Sequence, residues 1–275
     1  MTAIFILFAM ASSALVFTVA QDVLDSSDSS DDDPDTSTTD RSSDPQTPKD
    51  GQEPDTGTGG DDLDFDPLTE TVTQYRSGDE GGFNVDLTFQ GDWTLDEQNA
   101  VVKCAEFLSA FIVDDVPDDE FRGDAIDDIA MTISKDDIDS YSGILAYAQV
   151  LDYRSGSYLP VRSNIVMDES DLASLKQGDD LEAVIMHEMF HAIGFGMFWD
   201  QQGLIDRSNT DAGLRFSGAN ATKAYIDGLG GSTQDTYADL GVPVDPRGGH
   251  WNETALGSEF MTGILNGDSY VGNMT

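Results

Sequence analysis

"IMHEMFHAIGFG", residues 185–196, sets two histidines four positions apart with a glutamate directly after the first. The chain holds only three histidines in 275 residues, so the pair is a concentrated feature. The stretch is apolar between its polar positions and meets a glycine at Gly194, which predicts a helix with a glycine stop. On a helix, positions i and i+4 share a face. His187 and His191 therefore point the same way, one turn apart, and two imidazole nitrogens can reach one ion. Glu188 flanks the same cleft. This is the H-E-x-x-H arrangement, in which the histidines bind zinc and the glutamate is the general base. The competing reading is a pair of helix-face histidines satisfied by ordinary hydrogen bonds.

Two ligands do not complete a catalytic zinc site, which takes three protein ligands and a water. On the short spacing H-E-x-x-H-x-x-G-x-x-H the third would be residue 197, which is Met197, a poor zinc ligand. No glutamate occurs between Glu188 and Glu253, which weakens any scheme with a glutamate ligand at short range. The remaining histidine is His250, in "RGGHWNET", where the preceding glycines permit a tight backbone approach. A surface-loop histidine is the alternative there. Eleven residues on, "EFMTG" offers Met261 in a turn that would place a thioether beneath the metal, or simply a core methionine.

The flanking sequence predicts strands and helices in alternation. "FNVDLTF" alternates Phe83, Val85, Leu87 and Phe89 with polar residues, a half-buried strand. Thr94 and Glu97 make a capping box for a helix reaching about Ile112, with Ala100, Val101, Cys104, Phe107, Leu108 and Phe111 as its apolar stripe. "IDDIAMTIS", "GILAYAQVL" and "VRSNIVM" read as three further strands. Asp168 caps a short helix with Leu172 and Leu175 on its apolar side, and Asp179 or Asp180 caps the longer one that carries the histidines. A helix over about 219–229 is expected within the long segment 200–249. The order strand, helix, strands, helix predicts an α/β or α+β layer domain.

Three regions divide the chain. Residues 1–20 are apolar with Thr18 and Ala20 at the −3 and −1 positions of a signal-peptidase site, and read as a secretory signal or, alternatively, an N-terminal anchor. Residues 21–66 are Asp/Ser/Thr/Pro/Gly-rich with a net charge of −14, a disordered and self-repelling linker. Residues 67–275 form the folded domain, with a net charge of −26. The whole chain stands at −40, which excludes nucleic acid and anionic lipid surfaces as partners, because both demand a basic face. Adaptation to high salt and a merely soluble extracellular surface both fit this charge. The single cysteine, Cys104, excludes an intrachain disulfide and is expected buried and inert.

"HEMFHAIGFGMFW", a long insertion, "GGHWNE" and "GSEFMTG" together resemble the leishmanolysin-like zinc metallopeptidases, a branch of the metzincins. "IDSYSGILAYA", "SNIVMDESDLASL" and "FSGANATKAY" look like family segments in the right order, so that the resemblance covers about residues 83–275. It implies an α+β, metzincin-like zincin catalytic domain with a mixed sheet packed on the active-site helix and a helical and looped C-terminal part, a zinc ion on His187, His191 and His250, Glu188 as general base, Met261 as the Met-turn, and endopeptidase activity on protein or peptide substrates outside the cell, secreted or surface-tethered. A monomer is expected, meeting a membrane only through an uncleaved N-terminal anchor. Residue 190 is Phe where the motif often has Gly, and its ring is expected to narrow that side of the helix. The chain stops 14 residues past Met261, where metzincins place a helix, so an incomplete or short C-terminal part is expected.

Two other functions compete. One is a surface adhesion module that has kept a metal site without activity. The other is calcium binding by acidic clusters such as "DDVPDDE", which lacks the D-x-[DN]-x-[DN]-G spacing. The Asn-x-Thr triplets at Asn220, Asn252 and Asn273 match the glycosylation pattern, mostly a chance occurrence.

Overall fold

The computed structural model describes residues 4–5, 65–229 and 235–265. Nearly all of the expected 1–20 leader, residues 21–64 of the expected linker, the Asn273 triplet and the last ten residues lie outside them. The elements that build the domain are, in chain order, β1 (Gln74–Arg76), β2 (Val85–Phe89), α1 (Leu95–Phe111), β3 (Asp119–Phe121), β4 (Asp124–Ile126), β5 (Ile129–Asp136), β6 (Ala146–Tyr153), β7 (Pro160–Asp168), α2 (Leu172–Gln177), α3 (Leu181–Ala192), β8 (Ile205–Asp206), β9 (Arg215–Phe216), α4 (Ala219–Gly228), β10 (Val242–Pro243) and α5 (Glu253–Leu256).

Alternation does what it predicts in the strands. Val85, Leu87 and Phe89 of β2, Ile129, Met131 and Ile133 of β5, Ala146, Ala148 and Val150 of β6, and Ile165 and Met167 of β7 are buried on one face, and the residues between them are mostly half-buried. These strands form a mixed sheet in the order β1-β2-β5-β7-β6. The centre (β2, β5, β7) is parallel, and both edges (β1 and β6) run antiparallel to their neighbours. The fold is therefore α+β with a mixed sheet. "GILAYAQVL" becomes β6, an edge strand. Helices α1 and α3 pack side by side, α1 beside β2 and α3 over β6 and β7. Each large side chain buried between the layers contributes roughly 1.5–3 kcal/mol.

Helix α1 starts on the expected capping box: Thr94 Oγ1 accepts the Glu97 N–H at 3.3 Å, and Glu97 Oε2 accepts the Thr94 N–H at 3.0 Å. The stripe holds for Ala100, Val101, Cys104 and Leu108, and Phe107 is half-buried. Phe111 departs from it, 49% exposed, because the last turn runs past the layer; its ring stacks on Phe107 and meets the edge of Phe190. Burial raises the Cys104 thiol far above its ordinary pKa, leaving an inert side chain.

The expected caps of α2 and α3 are corrected. Asp168 lies one turn too early to cap α2. Its carboxylate accepts the N–H groups of Ser170 and Asp139 instead, tying the end of β7 to the 137–144 loop. Asp171 takes the N-cap position, but its side chain accepts the Ser142 N–H. Asp180 precedes α3 without a side-chain cap bond. In the 200–249 segment, β8, β9 and β10 make a small antiparallel sheet. Helix α4 is joined to it by the Arg215–Asp235 ion pair and the Tyr225 hydroxyl, which donates to Asp235.

Candidate metal centre

Helix α3 ends as the glycine predicts. The Gly194 N–H donates to His191 O and the Phe195 N–H to Phe190 O, each at 2.9 Å, a Schellman closure. Gly194 has φ +125°, a conformation glycine adopts without penalty. The reversal brings the Phe195 carbonyl to 2.8 Å from His191 Nδ1. The Phe260 carbonyl stands 3.1 Å from His187 Nδ1. A carbonyl only accepts, so both Nδ1 atoms carry the proton and both Nε2 atoms present a lone pair.

His250 completes the group from 59 residues beyond His191. The three Nε2 atoms form a triangle with sides of 3.1, 3.2 and 3.4 Å. Three nitrogens at about 2.0–2.1 Å from one tetrahedral ion stand roughly 3.3–3.4 Å apart, so the donor set fits a divalent metal in spacing and chemistry. His187, His191 and His250 are all buried and together could hold a metal ion. Burial lowers His187 to about 4, partly opposed by the Phe260 hydrogen bond. Burial, reinforced by His187 and Arg247, lowers His250 to about 3. Burial and the two neighbouring imidazoles push His191 well below its ordinary value. The rings are thus neutral at neutral pH, the form that ligates.

The loop that delivers His250 is held by Asp245. Its Oδ1 accepts the N–H groups of Gly249 and His250 at 2.9 and 3.2 Å, and its N–H donates to His250 O at 2.9 Å. Asp-Pro at 245–246 is a turn-initiation signal in the sequence, and the turn is closed by the Gly248 N–H on Asp245 O at 3.0 Å. The expected close backbone approach is present, but its obligate glycine is Gly196. A Cβ on Gly196, whose φ is +74°, would lie 1.9 Å from Gly249 O, whereas one on Gly249 would meet only Gly196 O at 3.8 Å. Trp251 then stacks on Trp199 at 5.1 Å and meets Phe195 edge-on at 5.0 Å, with Phe216 beside both tryptophans. This aromatic cluster joins the turn after α3 to the third-ligand loop across the insertion.

Glu188 is fully buried, and neither carboxylate oxygen has a hydrogen-bond partner. Burial raises it to about 8; the nearby Ala148 amide of β6 pulls the other way without closing a hydrogen bond. A divalent cation beside it would favour the carboxylate. The Phe190 ring is buried between Phe111 of α1 and Phe260. Met261 is buried in the turn 259–262, which touches the site through its backbone: Phe260 O accepts from His187, and Gly263 lies against the His250 ring. Glu259, buried in the same turn, went unnoticed in the sequence.

Of the acidic stretch 114–120, only Asp115 joins a carboxylate cluster, with Asp127 and Asp128. Asp128 already accepts the Asn84 and Val116 N–H groups and Asp127 pairs with Arg76. No family model matches the chain, and no curated protein matches it.

Proposed function

We propose that the chain is a zinc-dependent endopeptidase of the leishmanolysin-like, metzincin kind, acting outside the cell as a secreted or tethered enzyme. One observation carries the reading: three neutral imidazoles converge at ligand spacing beside a buried carboxyl that no hydrogen bond among the described residues uses. In a purely structural zinc site that carboxyl would have no task. His187, His191 and His250 hold the ion, which when bound supplies Lewis-acid polarisation of the scissile carbonyl and acidifies water. Glu188 accepts the water proton and returns it to the leaving amine. The substrate lies extended along the free edge of β6, whose Ala148 is next to Glu188, with main-chain hydrogen bonds giving affinity.

The test is metal analysis of the purified protein together with casein or gelatin degradation, with and without a zinc chelator, at low and high salt. One equivalent of zinc and chelator-sensitive cleavage are expected. Stoichiometric zinc with no cleavage of any protein substrate would replace this reading by the inactive surface module.

A further inference from the structure

We propose that Glu259 is a positioning residue for the metal ligand His187, acting through the single peptide group between Phe260 and Met261. The inference rests on the three-histidine metal reading and adds a residue to it. Residues 259–262 form a turn closed by the Thr262 N–H on Glu259 O at 3.2 Å, and the Thr262 hydroxyl donates to the same oxygen at 2.9 Å. A turn closed in this way leaves the C=O and N–H of its central peptide without partners inside the turn. Both are buried here and both are taken. The Phe260 carbonyl accepts from His187 Nδ1 at 3.1 Å, and the Met261 N–H donates to Glu259 Oε2 at 2.7 Å.

Carboxylate, peptide and imidazole thus stand in one hydrogen-bonded series ending at the Nε2 that faces the metal. A carboxylate on the N–H side polarises the amide and puts more negative charge on its oxygen, because serial hydrogen bonds reinforce one another in a dry interior. Glu259 has no exposed surface, Met261 none, and Thr262 almost none, so water does not screen the effect. A stronger acceptor at Nδ1–H makes Nε2 a better ligand and fixes the ring plane. The usual carboxylate partner of a metal-bound histidine is here set one peptide group back.

The rival account is that Glu259 only locks the turn. Glu259→Gln separates the two, since it keeps size and an acceptor oxygen for the Met261 N–H and removes the charge. Zn2+ affinity is measured by competition with a chromophoric chelator, and the visible spectrum is recorded with Co2+ in its place. Partners of metal ligands are worth about 10–100-fold in affinity. One peptide further out, Glu259→Gln is expected to lose roughly threefold to tenfold and to shift the Co2+ bands. Glu259→Asp and Glu259→Asn repeat the comparison with a shorter arm suited to bonding the N–H two residues on, and they carry the test if the glutamine variant does not fold. Asp is expected to stay near wild type and Asn to fall by the same factor as Gln. Equal affinities and spectra in charged and neutral variants, or equal losses in both, overturn the relay. A wild-type protein that binds no Zn2+ overturns the metal reading beneath it.

Discussion

Glu188→Gln removes a proton acceptor from a position that supplies no hydrogen bond to either carboxylate oxygen. In the metal-free protein burial holds this carboxyl at about 8, against an ordinary 4.5. The folded form is therefore protonated where the unfolded chain is ionised. The cost to folding is absent below pH 4.5, grows as pH rises toward 8, and is complete above it. Each unit of displacement is about 1.4 kcal/mol, so the full cost is on the order of 3–5 kcal/mol, a large share of a domain's stability. Glutamine carries no such cost. Chelator-treated Glu188→Gln should therefore gain on the wild type by that amount between pH 5 and pH 9 in urea unfolding. The three histidines titrate alike in both proteins and cancel in the difference. With zinc restored, the variant should hold one equivalent of metal and lose at least about a hundredfold in peptidase rate, the low end for a general base. A stability difference that is the same at both pH values refutes the burial argument. Cleavage near the wild-type rate refutes the role of Glu188.

Gly196→Ala should destabilise by several kcal/mol and weaken zinc binding, because its Cβ would sit 1.9 Å from Gly249 O; Gly249→Ala, whose Cβ would make an ordinary contact at 3.8 Å, should be mild, and similar urea midpoints for the two would contradict the packing. Burial raises Glu97, but the hydrogen bonds from Lys135 and Lys176 outweigh it and hold the carboxylate at about 2. Its contribution is full above pH 4.5 and lost as pH falls toward 2. Glu97→Gln should cost about 2 kcal/mol at pH 7, discounted for the partly exposed Lys176, with the gap to wild type narrowing below pH 4.5 and closing only as pH approaches 2 in denaturant titrations. Residues 67–275 carry a net −26, so the thermal midpoint should rise between about 0.1 and 2 M NaCl as screening relieves repulsion, and a flat or falling midpoint would remove the salt-adapted reading.

What could be read beforehand follows from how local the cause is. The strands over 83–89 and 129–135 and the α1 capping box depend on residues a few positions apart, and they stand where expected. Asp168 does not cap α2 because a carboxylate chooses among all nearby N–H groups, including those of a loop thirty residues away, and Asp180 holds the N-cap position of α3 without a side-chain bond. Phe111 looked like core because helical periodicity does not say where the neighbouring layer ends. At the site, the residue types of the ligands were visible in the sequence. Their support was not: the Phe195 and Phe260 carbonyls are backbone groups without a side-chain signature, and Glu259 and Asp245 act through N–H groups within five residues of themselves.

That support also bears on which function the site serves. Glu97, Asp128, Asp168 and Asp171 are buried carboxyl side chains, and each is met by N–H groups, ammonium groups or both. The fold therefore satisfies buried acids as a rule, and does so even where the partner is distant in sequence. Among the fully buried carboxyl groups of the described residues, Glu188 departs from the rule with both oxygens unbonded, next in sequence to His187 and beside the edge strand β6. Local rules broken without local compensation concentrate where function requires them. A site selected only to hold an ion would have replaced this carboxyl with an apolar side chain and gained stability. Under the proposed function, its retention is accounted for by a proton that has to be moved.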